Sequence, residues 1–145
     1  MNRLATPDDI DAICEELPET EFGTTWGDVP TWKVPRGTKG RGFVLYRKPH
    51  ASALDPETGE PYDDVLVVRV ANVQDKAALV EDPTTPFFTI DHFRNFNAVL
   101  VQQSRLHEVD VEQLRELLTE AWLAVAPTSL IRRHFPDNRL AGRPR

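Results

Sequence analysis

The spacing of hydrophobic residues changes twice along this chain, and that change limits the fold more than any other feature. Ile10, Ile13, Cys14 and Leu17 share one face of a helix, with Asp8, Asp9, Asp11, Glu15 and Glu16 on the other. Thr6 and Pro7 suit a cap and a first helical position, the acids that follow suit the N-terminal dipole, and Leu17-Pro18 ends the helix. From Phe22 the pattern shortens. Phe22, Thr24 and Trp26 alternate with smaller residues, as in a half-buried strand. Five further strands are predicted at Thr31–Val34, Gly42–Tyr46, Val65–Val70, Phe87–Ile90 and Ala98–Gln102. Helical spacing returns after Val111, where Leu114, Leu117, Leu118, Ala121, Trp122 and Val125 form one stripe. Asp110 with Gln113 makes a capping box, Val109 with Leu114 a hydrophobic staple, and Ala126-Pro127 a stop.

Punctuation fills the gaps. Gly27-Asp28-Val29-Pro30 is a turn, and Pro35–Gly40 is a basic loop with two glycines. Lys48–Asp63 is a polar, proline-rich loop and the longest irregular segment. Asn72 caps a short helix reaching Val80, and Ser129–Phe135 forms a last short helix. Residues 136–145 are polar and basic and read as a flexible tail. Strands joined by turns imply an antiparallel sheet, and two long amphipathic helices need one face of it to cover. The fold class is therefore α+β: a two-layer sandwich with two long helices on one face, in a single domain over residues 1–145.

Cys14 is the only cysteine, so no internal disulfide forms, which fits a reducing compartment. The acidic N-terminal stretch is unlike a signal peptide. The longest aliphatic runs, Val65–Val68 and Ala98–Val101, are too short for a membrane span. A cytoplasmic monomer with no membrane partner is expected.

Charge is distributed unevenly. Residues 31–50 carry six bases (Lys33, Arg36, Lys39, Arg41, Arg47, Lys48) and no acid, in a chain of net charge −6. Eight acids and one base precede them, and five acids and no base occupy the next sixteen positions. A basic hairpin interleaved with Trp26, Trp32, Phe43 and Tyr46 suits phosphate contacts and base stacking, and Arg132 and Arg133 extend it if the last helix lies close. Edge lysines and arginines also serve simply to keep a solvated hairpin from aggregating. A second expectation is an aromatic pocket between the sheet and loop Lys48–Asp63, lined by Trp26, Trp32, Tyr46, His92 and Phe93, for a small ligand or a protein.

Catalytic and metal signals are weak. Asp91-His92 is the best acid–base pair, workable in a turn but split across faces in a strand. His50, His107 and His134 show no metal-ligand spacing, there is no Walker or G-x-S-x-G pattern, and Cys14 reads as a small buried hydrophobe. A solvated face accounts for the acids of the first helix. No enzyme activity, cofactor or metal is expected.

The succession Leu17-Pro18-Glu19, Thr24-Thr25-Trp26-Gly27, Trp32-Lys33-Val34 and Gly42–Tyr46 carries a resemblance. It continues through Pro86-Phe87-Phe88-Thr89, His92-Phe93, Asn97–Val101, Ala121-Trp122-Leu123 and Pro127. Together these segments, spanning most of residues 8–135, resemble the MmcQ/YjbR family of small bacterial proteins. The resemblance implies a fold of the CyaY (bacterial frataxin) group, with an antiparallel sheet and two helices on one face. It also implies binding of double-stranded DNA on the open face of the sheet and its hairpins. Lys33, Arg36, Lys39, Arg41, Arg47, Lys48, Arg132 and Arg133 are the candidate contacts. The insertion-like loop Lys48–Asp63 is placed to cover part of that face.

Overall fold

The computed structural model describes residues 3–25, 28–51 and 53–136. Helix α1 (Pro7–Glu16) leads into strands β1 (Glu21–Thr25), β2 (Val29–Val34) and β3 (Arg41–Tyr46). Strand β4 (Val65–Arg69), helix α2 (Val73–Val80) and strand β5 (Ala98–Gln102) follow, then helices α3 (Val111–Val125) and α4 (Thr128–His134). The five strands lie side by side in chain order, every neighbouring pair antiparallel.

The caps read from the sequence do the local work. Asp110 and Gln113 exchange side-chain-to-backbone bonds of 2.8 Å each at the start of α3, and Asn72 Oδ1 accepts from the Asp75 amide at 2.8 Å in α2. The segment Phe87–Ile90 is a correction. It is not a strand, and it meets the sheet through one bridge, in which Phe88 and Leu100 exchange two backbone bonds before the chain tightens into a 3-10 turn at Asp91–Phe93.

Both faces of the sheet are apolar. On the helix side, Ile10, Ile13 and Cys14 of α1 and Leu114, Leu118 and Trp122 of α3 pack over Val34, Val44, Leu66, Val68, Val99 and Val101. On the far side Leu45, Val65, Val67, Ala98 and Leu100 are covered by Phe93, with Tyr62, Phe88, Ile90 and Phe96 around it. That double cover explains why Val65-Leu66-Val67-Val68 and Ala98-Val99-Leu100-Val101 are unbroken apolar runs rather than alternating ones. Each such side chain contributes about 1.5–3 kcal/mol by leaving water.

The acids of α1 are not all solvated, which corrects the expectation for that face. Asp9 is buried; its carboxylate accepts from Arg3 Nη1 at 2.7 Å and from the Thr6 amide at 2.8 Å, closing the N-terminal capping box. Asp11 Oδ1 accepts from Trp32 Nε1 at 2.8 Å and from the Tyr46 hydroxyl at 2.7 Å, tying α1 to β2 and β3.

The Arg3 guanidinium holds the Asp9 carboxyl well below the usual carboxylate range. A folded-state pKa below the unfolded one gives stability that is full above about pH 4 and lost as pH falls toward the folded value. Asp9→Asn is therefore expected to lower the urea midpoint at pH 6, with the gap to wild type narrowing steadily as pH falls from about 4 to about 2. A gap that stays constant across that range contradicts the pairing.

A candidate anion pocket on the far face of the sheet

Strand β3 ends at Tyr46, and the chain turns outward through Arg47, Lys48, Pro49 and His50. Opposite it stands the Asp91–Phe93 turn. Between them lies a cavity of about 220 Å³. Its floor is buried and apolar, made by Leu45, Val67 and Phe93, with half-buried Val29 beside them. Arg47, Lys48, His50 and His92 supply the polar lining. The Arg47 guanidinium lies over the Phe93 ring, 5.6 Å from its centre, and the His50 and His92 rings are 6.4 Å apart. Burial pushes the Arg47 pKa down from its ordinary value, although a guanidinium stays charged at any physiological pH. Lys48 Nζ is 2.6 Å from Asp28 Oδ2 in an exposed pair, which water screens and a bound anion can displace.

The Phe93 wall is held from behind by a buried lysine. Lys76 of α2 donates from Nζ to the carbonyls of Phe93 at 2.6 Å and Phe96 at 2.8 Å. Burial lowers its pKa. Arg69 lies over the Phe96 ring at 4.6 Å, and burial together with nearby Arg41 lowers its pKa as well. Lys76→Met removes both donors while keeping the stem. It is expected to destabilise by about 1–3 kcal/mol through the unsatisfied carbonyls. Amide exchange should speed up across residues 91–97, and exchange unchanged from wild type in that segment would contradict the role given to Lys76.

The basic candidates do not form one patch. Lys33 lies across Gly23 on β1, with 16% of its side chain exposed, and sits 4.0 Å from Glu21. Arg36 Nε donates to the Thr20 carbonyl at 3.1 Å, and Glu21 also accepts from the Gly37 amide at 3.0 Å. Lys39 and Arg41 are exposed at the β2–β3 turn. Gly40 is required in that turn, because a Cβ there would overlap the Pro35 carbonyl. Arg47 and Lys48 sit at the other end of β3, about 20 Å away at ~3.3 Å per residue. Arg132 and Arg133 are exposed on α4, whose Leu130 and Ile131 enter the helix-side core.

The aromatic candidates divide too. Trp32 and Tyr46 belong to the helix side, where Phe22 packs on both at 5.2 and 6.2 Å and Asp11 binds both. His92 and Phe93 belong to the far side. The expectation that they line one pocket is corrected by the strand alternation that sends Trp32, Val44 and Tyr46 to one face and Leu45 to the other. Trp26 lies outside the described residues. Asp91 and His92 are both exposed in the Asp91–Phe93 turn, and no hydrogen bond joins them among the described residues. Cys14 is buried, and that burial pushes its thiol pKa up. Among the described residues, no helix is long and apolar enough to cross a membrane.

Sequence inspection did not single out Lys76, His50 or Val29 for this site. Lys76 carries no local signal, since its partners lie 17 and 20 residues away.

A five-stranded antiparallel sheet with helices on one face and an aromatic loop on the other defines a small α+β protein with a shallow far-face pocket. The chain belongs to the YjbR family, whose model matches residues 15–124. Uncharacterised proteins of Mycobacterium bovis (Mb2600) and Mycobacterium tuberculosis (Rv2570) are 36% identical to it over 133 residues, covering 88% of this chain and 94% of theirs. The crystal structure of Deinococcus radiodurans protein DR2400, with the family-model domain DUF419, superposes with a TM-score of 0.58 at 21% identity. It covers 97% of this chain and 91% of that one, so the two share a fold.

Proposed function

We propose that this protein is a monomeric, non-catalytic binding module whose far-face pocket takes a small organic anion. One observation carries the reading: Arg47, Lys48, His50 and His92 line a single small cavity floored by Phe93 and aliphatic side chains. A guanidinium, a lysine and two imidazoles favour a phosphate or carboxylate, and the floor favours a compact apolar or aromatic body attached to it. The volume of about 220 Å³ lies below the usual range for drug-sized ligands, so a group the size of a phenyl phosphate suits it. The test compares phenyl phosphate with phenol by calorimetry. Saturable binding of the phosphate, weakening with salt, supports the reading; equal binding of both, or of neither, contradicts it.

A second reading, duplex DNA binding, is supported by the exposure of Arg36, Lys39 and Arg41 at the β2–β3 turn. Three phosphate contacts predict a log–log salt slope of about −3. Labelled duplex titrated across a salt series, with a variant lacking those three charges, tests it. Affinity independent of salt, or unchanged in the variant, removes it.

A further inference from the structure

A larger groove lies on the other side of the molecule, between α2 and α3, with a volume of about 750 Å³. Its walls are apolar: Val70, Leu79, Phe87, Val109 and Leu117. Three carboxylates stand on it: Asp75 from the first turn of α2, and Glu116 and Glu120 one helical turn apart on α3. Like charges four residues apart weaken a helix, so this spacing does not serve α3 itself.

Neither cation carried by these two helices answers the acids. Lys76, the base of α2, is turned away into the Phe93 and Phe96 carbonyls. Arg115, the base of α3, also lines the groove, but its guanidinium is engaged by Glu16 of α1 at 2.8 Å, which leaves the three groove acids in excess of it. The Glu120 carboxyl is pushed up by partial burial, then by the neighbouring Asp75 and Glu116 charges. Among the described residues no group of carboxylates has a geometry that could hold a metal ion. The groove therefore pairs negative charge with apolar depth rather than with a chelating centre.

We infer that the α2–α3 groove binds an organic cation, an ammonium on an apolar chain or ring, with Asp75, Glu116 and Glu120 receiving the charge and Leu79, Phe87 and Leu117 the apolar body. The volume falls within the range of small-molecule pockets, which fits a single compact amine. Charge-assisted bonds to carboxylates give the selectivity for a cation over a neutral body of the same shape.

The experiment titrates 4-phenylbutylamine and the neutral 4-phenylbutanol into the full chain, followed by amide NMR. The amine is expected to shift resonances around Leu79, Phe87 and Leu117 and to bind at least about fivefold more tightly than the alcohol. Glu116→Gln with Glu120→Gln should erase that preference while unfolding at the same or a higher temperature, since a like-charge pair is removed. Equal affinity for amine and alcohol, an unchanged preference in the variant, or shifts outside the groove would overturn the inference. The far-face pocket, on the opposite layer, is unaffected by either outcome.

Discussion

Trp122→Ala is expected to lower the stability of this protein by about 3–5 kcal/mol. Trp122 is completely buried between α3 and the sheet. Its indole Nε1 donates to the Pro18 carbonyl at 2.9 Å, and its ring packs against Phe135 at 5.2 Å. Truncation removes apolar burial, leaves a cavity, and strips a partner from the α1–β1 connection and from the end of α4 at once. Against a typical total of about 5–15 kcal/mol, such a loss leaves the fold marginal. Thermal unfolding should show a drop of roughly 10–20 °C. Trp122→Phe, which keeps most of the volume and loses the donor, should cost about half as much or less. A Trp122→Ala protein within about 1 kcal/mol of wild type would mean the helix layer is not anchored there.

The second large effect concerns binding. Arg47→Met is expected to weaken phenyl phosphate at least about tenfold, because a charge-assisted bond to a partly desolvated guanidinium is worth about 1.5–3 kcal/mol. Methionine keeps the stem that packs over Phe93, so the floor survives. Lys48→Met should cost less, since Lys48 must first leave Asp28. Asp28→Asn should accordingly tighten binding slightly. Calorimetry on the three variants measures this order. If Arg47→Met binds like wild type, the anion does not sit in the pocket.

Local chemistry made much of this fold legible beforehand. The Thr6-Pro7, Asn72 and Asp110–Gln113 signals mark helix starts that the structure keeps, because a cap is settled within four residues. The far face was hidden for the opposite reason. Phe88, Phe93 and Phe96 have no regular period, and their positions depend on the Phe88–Leu100 bridge and on Lys76, both long-range. Asp9 and Asp11 looked like solvent-facing acids. Asp9 stands three residues after the cap Thr6, a position that signals a capping role, whereas nothing local links Asp11 to Trp32 and Tyr46. The basic run was visible, yet a strand separates its members by ~3.3 Å per residue, so contiguity in sequence became two clusters at opposite ends of β3.

The most direct test of the anion pocket is an amide NMR titration of the wild-type chain with phenyl phosphate. Saturable shifts are expected at Val29, Leu45, Val67, His92 and Phe93, reporting one site between the β3 exit and the Asp91–Phe93 turn. Shifts centred on residues 36–41, or none at millimolar ligand, would contradict it.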